Sequence, residues 1–484
     1  MLSLRSHTRV DIRIVVQFAI FTRALSLVLQ AALNAIIPDH EADAFSPPRT
    51  VKPRLLDYTT DVLLGGLGRW DAEHFLFIAE HGYVYEHNFA FFPLFPLVLY
   101  SVASTLLWPL SPFLTLHGRL LLAVAIANTT LFVLSAVALF GLSCAVLQDR
   151  SLALLSSLIY CLTPANVFML SGYSETLFAA LTFGGLWFLE KGFTLRACLF
   201  LCLATGARAN GLVNAGFLLY LPLRSLCITV VVLPFGLFQL YGYYTFCRPT
   251  VTQEQVPDVL LNLADKKGYR VPDEAAPTPS WCLMRIPILY SYIQDVYWDV
   301  GFLRYFKLKQ IPNFLLALPI ATLSVMALYM YIKANPLFCL HLGLGKSAKK
   351  GKEGKPPANF YSSKVFVYIV HCFSLLIFGI FCMHVQVLTR FLASSSPVVY
   401  WISGHVLLCN EPSLLEEKHF AYGKPQDNLK QCCIHSYLVS INNPITQLLM
   451  HWNTCSFRTR CILGYFVSYW LLGLVLHCNF LPWT

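Results

Sequence analysis

The chain has 484 residues, of which 56% are hydrophobic, 14% aromatic and only 12% charged, with a mean hydropathy of +0.59. A soluble protein of this length needs more polar surface to cover its core, so the composition predicts a polytopic membrane protein. The formal charge of +10 does not indicate nucleic-acid binding. The basic residues cluster at Arg5, Arg9 and Arg13 and in the run GKSAKKGKEGK, which lacks the interleaved aromatic residues of a nucleic-acid site.

Apolar runs recur from end to end. We predict about eleven segments long enough to span a bilayer as helices. They are 14–36, 89–110, 118–147, 152–170, 174–189, 195–221, 224–247, 311–334, 361–384, 388–408 and 461–481. The first has no small-residue cleavage site and is interpreted as a signal anchor. The chain is therefore predicted to be one all-α multi-pass membrane domain over 1–484.

Four polar stretches separate these segments. The positive-inside rule places the N-terminus and the basic, flexible loop 335–360 on the cytoplasmic side. Residues 38–88 and 248–310 are then loops on the opposite side, and 409–455 is predicted to be cytoplasmic and irregular. Loop 248–310 ends in YSYIQDVYWDVGFLRYF, where Tyr and Trp alternate with charges as in an interfacial helix.

Two short motifs leave the topology open. Strict alternation of spans puts SGYSE (171–175) on the cytoplasmic side and GARANG (206–211) inside a span, where Arg208 would be costly. If GARANG is instead a turn between two short segments, SGYSE moves to the far side and one earlier segment does not cross.

The 16 cysteines form no CxxC pair and no His/Cys metal spacing. Most lie inside apolar runs, where a thiol behaves as a small hydrophobic group. They therefore predict neither a metal centre nor a redox motif.

One stretch, RWDAEHFLFIAEHGY, gathers ionisable side chains in this apolar chain. It predicts a short helix ended by Gly82, with Asp71 and His74 on one face and Glu73 on another. A carboxylate just outside the bilayer, beside the apolar run NFAFFPLFPL, can deprotonate a hydroxyl in a nearly dry site. The structural alternative makes Trp70 an interface anchor and Asp71 a helix N-cap.

Several blocks in the same order resemble the PIG-V family of GPI mannosyltransferases: RWDAEHFLFIAEHGY, NFAFFPLFP, TPANVFMLSGYSETLF, GARANGLVNAGF, QVLTRFLASSSPVVYW and LLGLVLHCNFLPWT. The resemblance implies a GT-C glycosyltransferase architecture in the endoplasmic reticulum membrane, with a luminal active site. It implies dolichyl phosphate mannose as donor and the one-mannose GPI glycolipid as acceptor. The second mannose would be added in α1,6 linkage with inversion.

The resemblance also suggests roles for individual residues. Asp71 matches the acidic residue of the first luminal loop and is predicted to be the general base. Glu73 would orient a sugar or pair with Arg69. Since carboxylates at i and i+2 of a helix diverge, Asp71 and Glu73 do not predict a shared metal, and we expect no cofactor.

The remaining candidates are substrate-binding residues. Arg390 or Arg208 would hold the donor phosphate, and Trp70 would stack on a sugar ring. Glu175 and the weaker candidate Asn210 would line a polar cavity, and His74 would orient Asp71 or bind the acceptor.

Other classes of protein stay open on the sequence alone. They are a GT-C transferase that uses another lipid-phosphate sugar or acceptor, a multi-pass transporter of lipid substrates, and a noncatalytic scaffold of a transferase complex. The expected partners are the two lipid substrates and membrane lipids. The sequence leaves open whether a small membrane subunit is also needed.

Overall fold

The computed structural model describes residues 2–219, 224–249, 256–343, 359–411, 414 and 442–481. Within these ranges every regular element is a helix, which confirms the all-α prediction. The α-helices are α1 (Leu2–Ile36), α2 (Asp57–Leu64), α3 (Asp71–His81), α4 (Leu94–Ser104), α5 (Leu116–Leu147), α6 (Arg150–Tyr160), α7 (Glu175–Glu190), α8 (Thr194–Ala207), α9 (Arg224–Cys247), α10 (Asp258–Lys267), α11 (Leu289–Val296), α12 (Ile311–Ala334), α13 (Pro336–Leu340), α14 (Val365–Cys382), α15 (Leu388–Ser395), α16 (Val398–Asn410), α17 (Pro444–Met450) and α18 (Phe457–Cys478).

Six helices in the described part of the chain are long and apolar enough to cross a membrane. They are α1, α5, α9, α12, α14 and α18. A seventh span results if α15, with the turn before it, and α16 form one span bent by 79°. The chain is thus a multi-pass membrane protein, but the predicted count of about eleven spans is not confirmed.

The four other predicted segments are short or broken. The one α-helix of segment 89–110 is the 11-residue α4, which begins after Pro93 because proline removes a backbone donor and fixes φ. Segment 152–170 is helical only up to Tyr160. Segment 174–189 forms the 16-residue α7. Segment 195–221 breaks at Arg208, so GARANG is a turn, as the second topology predicts.

The irregular stretch 161–174 is fully buried between helices, which requires its backbone groups to find partners inside the protein. Arg23 of α1 donates to Asn166, and the Asn128 amide donates to the Ser171 carbonyl oxygen. The Gly172 amide donates to the Leu67 carbonyl oxygen at 2.8 Å. These bonds hold an apolar but non-helical segment at the centre of the fold.

The two long polar loops pack against each other. The Glu86 amide donates to the Arg270 carbonyl oxygen at 2.9 Å, and the Tyr85 hydroxyl donates to the Leu260 carbonyl oxygen at 2.9 Å. In the second loop the predicted interfacial helix is formed only over α11. Most of the basic loop 335–360 and of the irregular stretch 409–455 lies outside the described residues.

A disulfide joins Cys247, at the end of α9, to Cys282 in the second loop. This disulfide was not predicted, because the two cysteines are 35 residues apart and belong to no recognisable motif. It anchors the second loop to a membrane-spanning helix. Disulfides form and persist in oxidising compartments.

We expect Cys247→Ser to lower the free energy of unfolding by about 2–4 kcal/mol, because the cross-link restricts the unfolded chain. Thermal unfolding of the detergent-solubilised protein measures the change. Cys461→Ser, at an exposed free cysteine, is the matched control. Equal midpoints for the two variants would contradict a stabilising cross-link.

Candidate active site

The ionisable motif forms helix α3, which begins at Asp71 and ends before Gly82, as predicted. The N-cap is Trp70, whose side chain makes no capping hydrogen bond, so the N-cap role considered for Asp71 is wrong. Gly172 lies against the start of this helix, and a Cβ at Gly172 would lie 3.2 Å from the Ala72 Cβ. The buried irregular segment 161–174 therefore packs against the first turn of α3, next to Asp71.

Four of the predicted site residues form one charged network. The Arg390 Nη2 lies 2.9 Å from the Asp71 Oδ2, and its Nη1 lies 3.7 Å from the Glu175 Oε1. The Arg208 Nη1 lies 2.5 Å from the same Glu175 oxygen. Asp71, Glu175 and Arg208 are therefore on one side of the protein, which agrees with the topology in which GARANG is a turn.

The network is open at one end. Glu175 is fully buried, whereas the Asp71 side chain is 34% exposed. Burial raises the pKa of Asp71, but the interactions of its carboxylate together, foremost the charge and the hydrogen bond of Arg390, hold that pKa below its ordinary value of 3.8. Asp71 is thus an accessible, ionised carboxylate at neutral pH.

Arg390 is fixed by its surroundings. Its guanidinium carbon lies 5.1 Å from the centre of the Phe168 ring and 5.4 Å from that of Tyr173, which favours cation–π contact. Neither aromatic residue was predicted, although both lie in the TPANVFMLSGYSETLF block. The Asn210 amide donates to the Ser395 hydroxyl at 2.9 Å and joins the GARANG turn to α15, which carries Arg390.

Glu73 lies apart from this network. Its carboxylate is 3.5 Å from Arg49, while Arg69 pairs with Asp39 at 2.6 Å, so the predicted Glu73–Arg69 pair is wrong. The helix turns Glu73 away from Asp71, as the i, i+2 geometry requires. Burial raises the pKa of Glu73 above its usual value.

His74 is held between two aromatic rings. Its imidazole stacks on Phe45 at 4.2 Å and on Phe91 at 4.5 Å between ring centres. Burial lowers the pKa of His74 to about 4, so it is neutral at neutral pH. Within the described residues His74 makes no hydrogen bond to Asp71. It packs between Phe45 and Phe91 instead.

Trp70 has a backbone φ of +58°, which is unusual for a residue with a side chain. Its ring packs edge-on against Phe480 at 5.7 Å, and the Arg69 guanidinium lies 4.7 Å from the centre of that Phe480 ring. Phe480 thus contacts both Trp70 and Arg69, the two residues immediately before Asp71. Sequence reasoning did not assign Phe480 a role.

We expect Phe480→Ala to reduce activity roughly two- to tenfold, the value of one lost aromatic pair. Phe480→Tyr keeps the ring and should restore activity. Phe457→Ala, at an exposed position of α18, is the control for truncating an aromatic residue. Equal activity of Phe480→Ala and Phe457→Ala, at matched protein level, would exclude a positioning role for Phe480.

In the described part of the chain no group of three or more His, Cys, Asp or Glu side chains could hold a metal ion. The group that contacts the Asp71 carboxylate is instead the Arg390 guanidinium. The predicted absence of a cofactor stays a prediction.

Fold and site together define an all-helical multi-pass membrane protein with a half-open carboxylate in a buried ionic network. The chain belongs to the mannosyltransferase (PIG-V) family, whose model matches residues 12–229 and 220–484. It is accordingly a multi-pass membrane mannosyltransferase.

Similar proteins cover nearly the whole chain. GPI alpha-1,6-mannosyltransferase 2 of Homo sapiens is 50% identical over 97% of this chain and 98% of its own length. The Mus musculus protein of the same name is 49% identical over the same shares. GPI mannosyltransferase 2 of Drosophila melanogaster is 32% identical over 80% of this chain and 90% of its own length.

Among solved structures, the apo oligosaccharyltransferase of Archaeoglobus fulgidus aligns with 94% of this chain and 56% of its own length. The TM-score is 0.45 at 11% sequence identity.

Proposed function

We propose that this protein transfers the second mannose of the GPI anchor, in α1,6 linkage, from dolichyl phosphate mannose to the one-mannose GPI intermediate. The named mammalian relatives, about half identical over nearly the full length, support the reaction and the acceptor. The observation that supports the proposed mechanism is the contact between Asp71 and Arg390, a carboxylate beside a cation able to hold phosphate.

The proposed chemistry is a single displacement. A β-linked donor and an α-linked product require inversion at the anomeric carbon, as in other inverting glycosyl transfers. Asp71 takes the proton from the acceptor 6-hydroxyl as the new C–O bond forms. The bond to dolichyl phosphate breaks in the same step, and the departing phosphate keeps the electron pair.

Arg390 and Arg208 are proposed to bind the donor phosphate. Guanidinium groups bind phosphate through paired N–H donors, and both lie beside Glu175 in a site with little water. When Arg390 binds the donor phosphate, its charge interacts less with Asp71. The pKa of Asp71 is then lowered less than in the free enzyme. Asp71 then becomes a stronger base at the moment when it is needed.

We further propose that the site faces the lumen of the endoplasmic reticulum and that the fold is of the GT-C type. The Cys247–Cys282 disulfide favours an oxidising compartment for the second loop, and this loop packs against the first loop, which carries Asp71. The Arg and Lys clusters in the N-terminus and in loop 335–360 favour the cytoplasm for those segments.

The test uses microsomes from cells that lack this step, with and without the wild-type chain. Radiolabelled dolichyl phosphate mannose should convert the one-mannose glycolipid to a two-mannose product that an α1,6-specific mannosidase cleaves. Labelled GDP-mannose, with dolichyl phosphate mannose synthesis blocked, should give no product. Transfer only to another acceptor would indicate a different GT-C transferase, and lipid flux without a new glycosidic bond would indicate a transporter.

A further inference from the structure

A cavity lies between the two polar loops and is separate from the charged network around Asp71. Its volume of about 480 Å³ falls within the roughly 300–1,000 Å³ of small-molecule sites. Its chemically distinctive lining residues are Glu86, Asp265, Tyr269, Arg270, Tyr292 and Tyr297. The cavity has no role in the mechanism proposed above.

The lining matches a saccharide better than other ligands. Tyrosine rings pack on the C–H faces of sugars and offer hydroxyl groups at their edges. Carboxylates accept hydrogen bonds from sugar hydroxyls, and a guanidinium donates them. Two carboxylates disfavour a phosphate or nucleotide, and so polar a lining disfavours a lipid chain.

The inner wall of the cavity is rigid. The buried Glu86 carboxylate accepts hydrogen bonds from the Trp281 Nε1 and the Tyr297 hydroxyl, both at 2.8 Å, and lies 3.8 Å from the Arg270 Nε. The outer wall includes Asp265, which makes no side-chain hydrogen bond or ion pair within the described residues. One carboxylate therefore shapes the cavity, and the other is available to a ligand.

A buried histidine that does not itself line the cavity lies between the lining residue Tyr269 and helix α3. His87 is 4% exposed, and neither ring nitrogen has a hydrogen-bond partner among the described residues. Its ring lies 4.4 Å from that of Tyr269 and 5.4 Å from that of His74, which is three residues after Asp71 on α3. Tyr269 therefore connects the cavity, through His87, to the helix that begins at Asp71.

We propose that this cavity binds the saccharide headgroup of the acceptor, with its inner sugars against Tyr269, Tyr292 and Asp265 and its reacting hydroxyl directed to Asp71. The identity of that saccharide rests on the function proposed above. The cavity would supply acceptor affinity, whereas the ionic network would act on the donor.

The test fills the cavity without disturbing the network. Ala276 lines the cavity, whereas the adjacent Ala275 is exposed and does not. Ala276→Phe should raise the KM for the glycolipid acceptor about tenfold or more, because a bulky side chain then occupies the site. The KM for the donor and kcat should change little, and Ala275→Phe should match the wild type. Asp265→Asn should also raise the acceptor KM, and exposed Glu274→Gln should not.

Direct binding separates this proposal from the proposed function. Mannosyl-glucosaminyl-inositol, the soluble headgroup, is titrated against each variant and followed by saturation-transfer NMR. Binding by wild type and Ala275→Phe but not by Ala276→Phe supports the cavity, even if no transfer occurs and the proposed function fails. Equal binding by Ala276→Phe, or a rise in the donor KM instead of the acceptor KM, would overturn it.

Discussion

Asp71→Asn is expected to lower kcat by about a hundred- to ten-thousand-fold, the usual contribution of a general base. Asparagine has nearly the same shape and leaves Arg390 in contact with Glu175, but it cannot accept a proton from the acceptor. Because Asp71 is 34% exposed, the protein should fold and reach the membrane at wild-type level. The measurement is conversion of the one-mannose to the two-mannose glycolipid in microsomes at matched protein level.

Glu41→Gln removes an exposed carboxylate from the same loop and is the control, for which wild-type turnover is expected. If Asp71→Asn turned over like this control, Asp71 would only anchor Arg390. The alternative bases would then be weak candidates. Glu73 points toward Arg49, and Glu175 is fully buried between two arginines.

Arg390→Gln is expected to cost about 2–5 kcal/mol in transition-state stabilisation, the cost of truncating one partner of a desolvated charge pair. It removes the proposed phosphate ligand and leaves Asp71 without its counter-ion. The donor KM should rise more than the acceptor KM. Arg390→Lys keeps the charge but not the paired donors and should recover only part of the activity. Recovery of full activity by lysine would contradict a bidentate phosphate contact.

The pH profile of the same variant is a separate readout. A general base works above its own pKa, so activity is lost as pH falls through that value. In the wild type the acid limb of kcat/KM should lie below 3.8, because Arg390 lowers the pKa of Asp71. In Arg390→Gln burial still raises that pKa without the opposing charge, so the acid limb should move to higher pH. An unchanged limb would mean that Asp71 is not the titrating base.

Local patterns predicted the parts of the site that lie on one continuous helix. The charges between Trp70 and Gly82 fixed both the extent of α3 and the divergence of Asp71 from Glu73, because helical spacing determines which side chains share a face. The costly position of Arg208 in a span likewise made a turn at GARANG one of two alternatives, and α8 ends at Ala207.

Apolar composition alone predicted about eleven spans, whereas six or seven helices in the described part of the chain are long and apolar enough to cross a membrane. Residues 161–174 are as apolar as a helix, yet they form buried irregular structure, since Arg23 and Asn128 from other helices bond to their backbone and to Asn166. A hydropathy window cannot distinguish a segment buried in protein from one that faces lipid.

Long-range partners could not be predicted. Arg390 and Asp71 are 319 residues apart, and Cys247 and Cys282 are 35 apart, so neither spacing carries a geometric signal. The same holds for Arg69, whose partner Asp39 lies in an irregular stretch. Such contacts depend on how the helices pack, and a single sequence does not specify this locally.

The ionic network also sets an order of assembly during synthesis. Once residue 208 has been made, two carboxylates, Asp71 and Glu175, face one guanidinium, Arg208. The balancing charge, Arg390, is added about 180 residues later, after α9, α12 and α14 have been inserted. Until then the nascent chain carries an uncompensated negative charge near the membrane. A chain that stops before residue 390 therefore lacks the cation that contacts both Asp71 and Glu175.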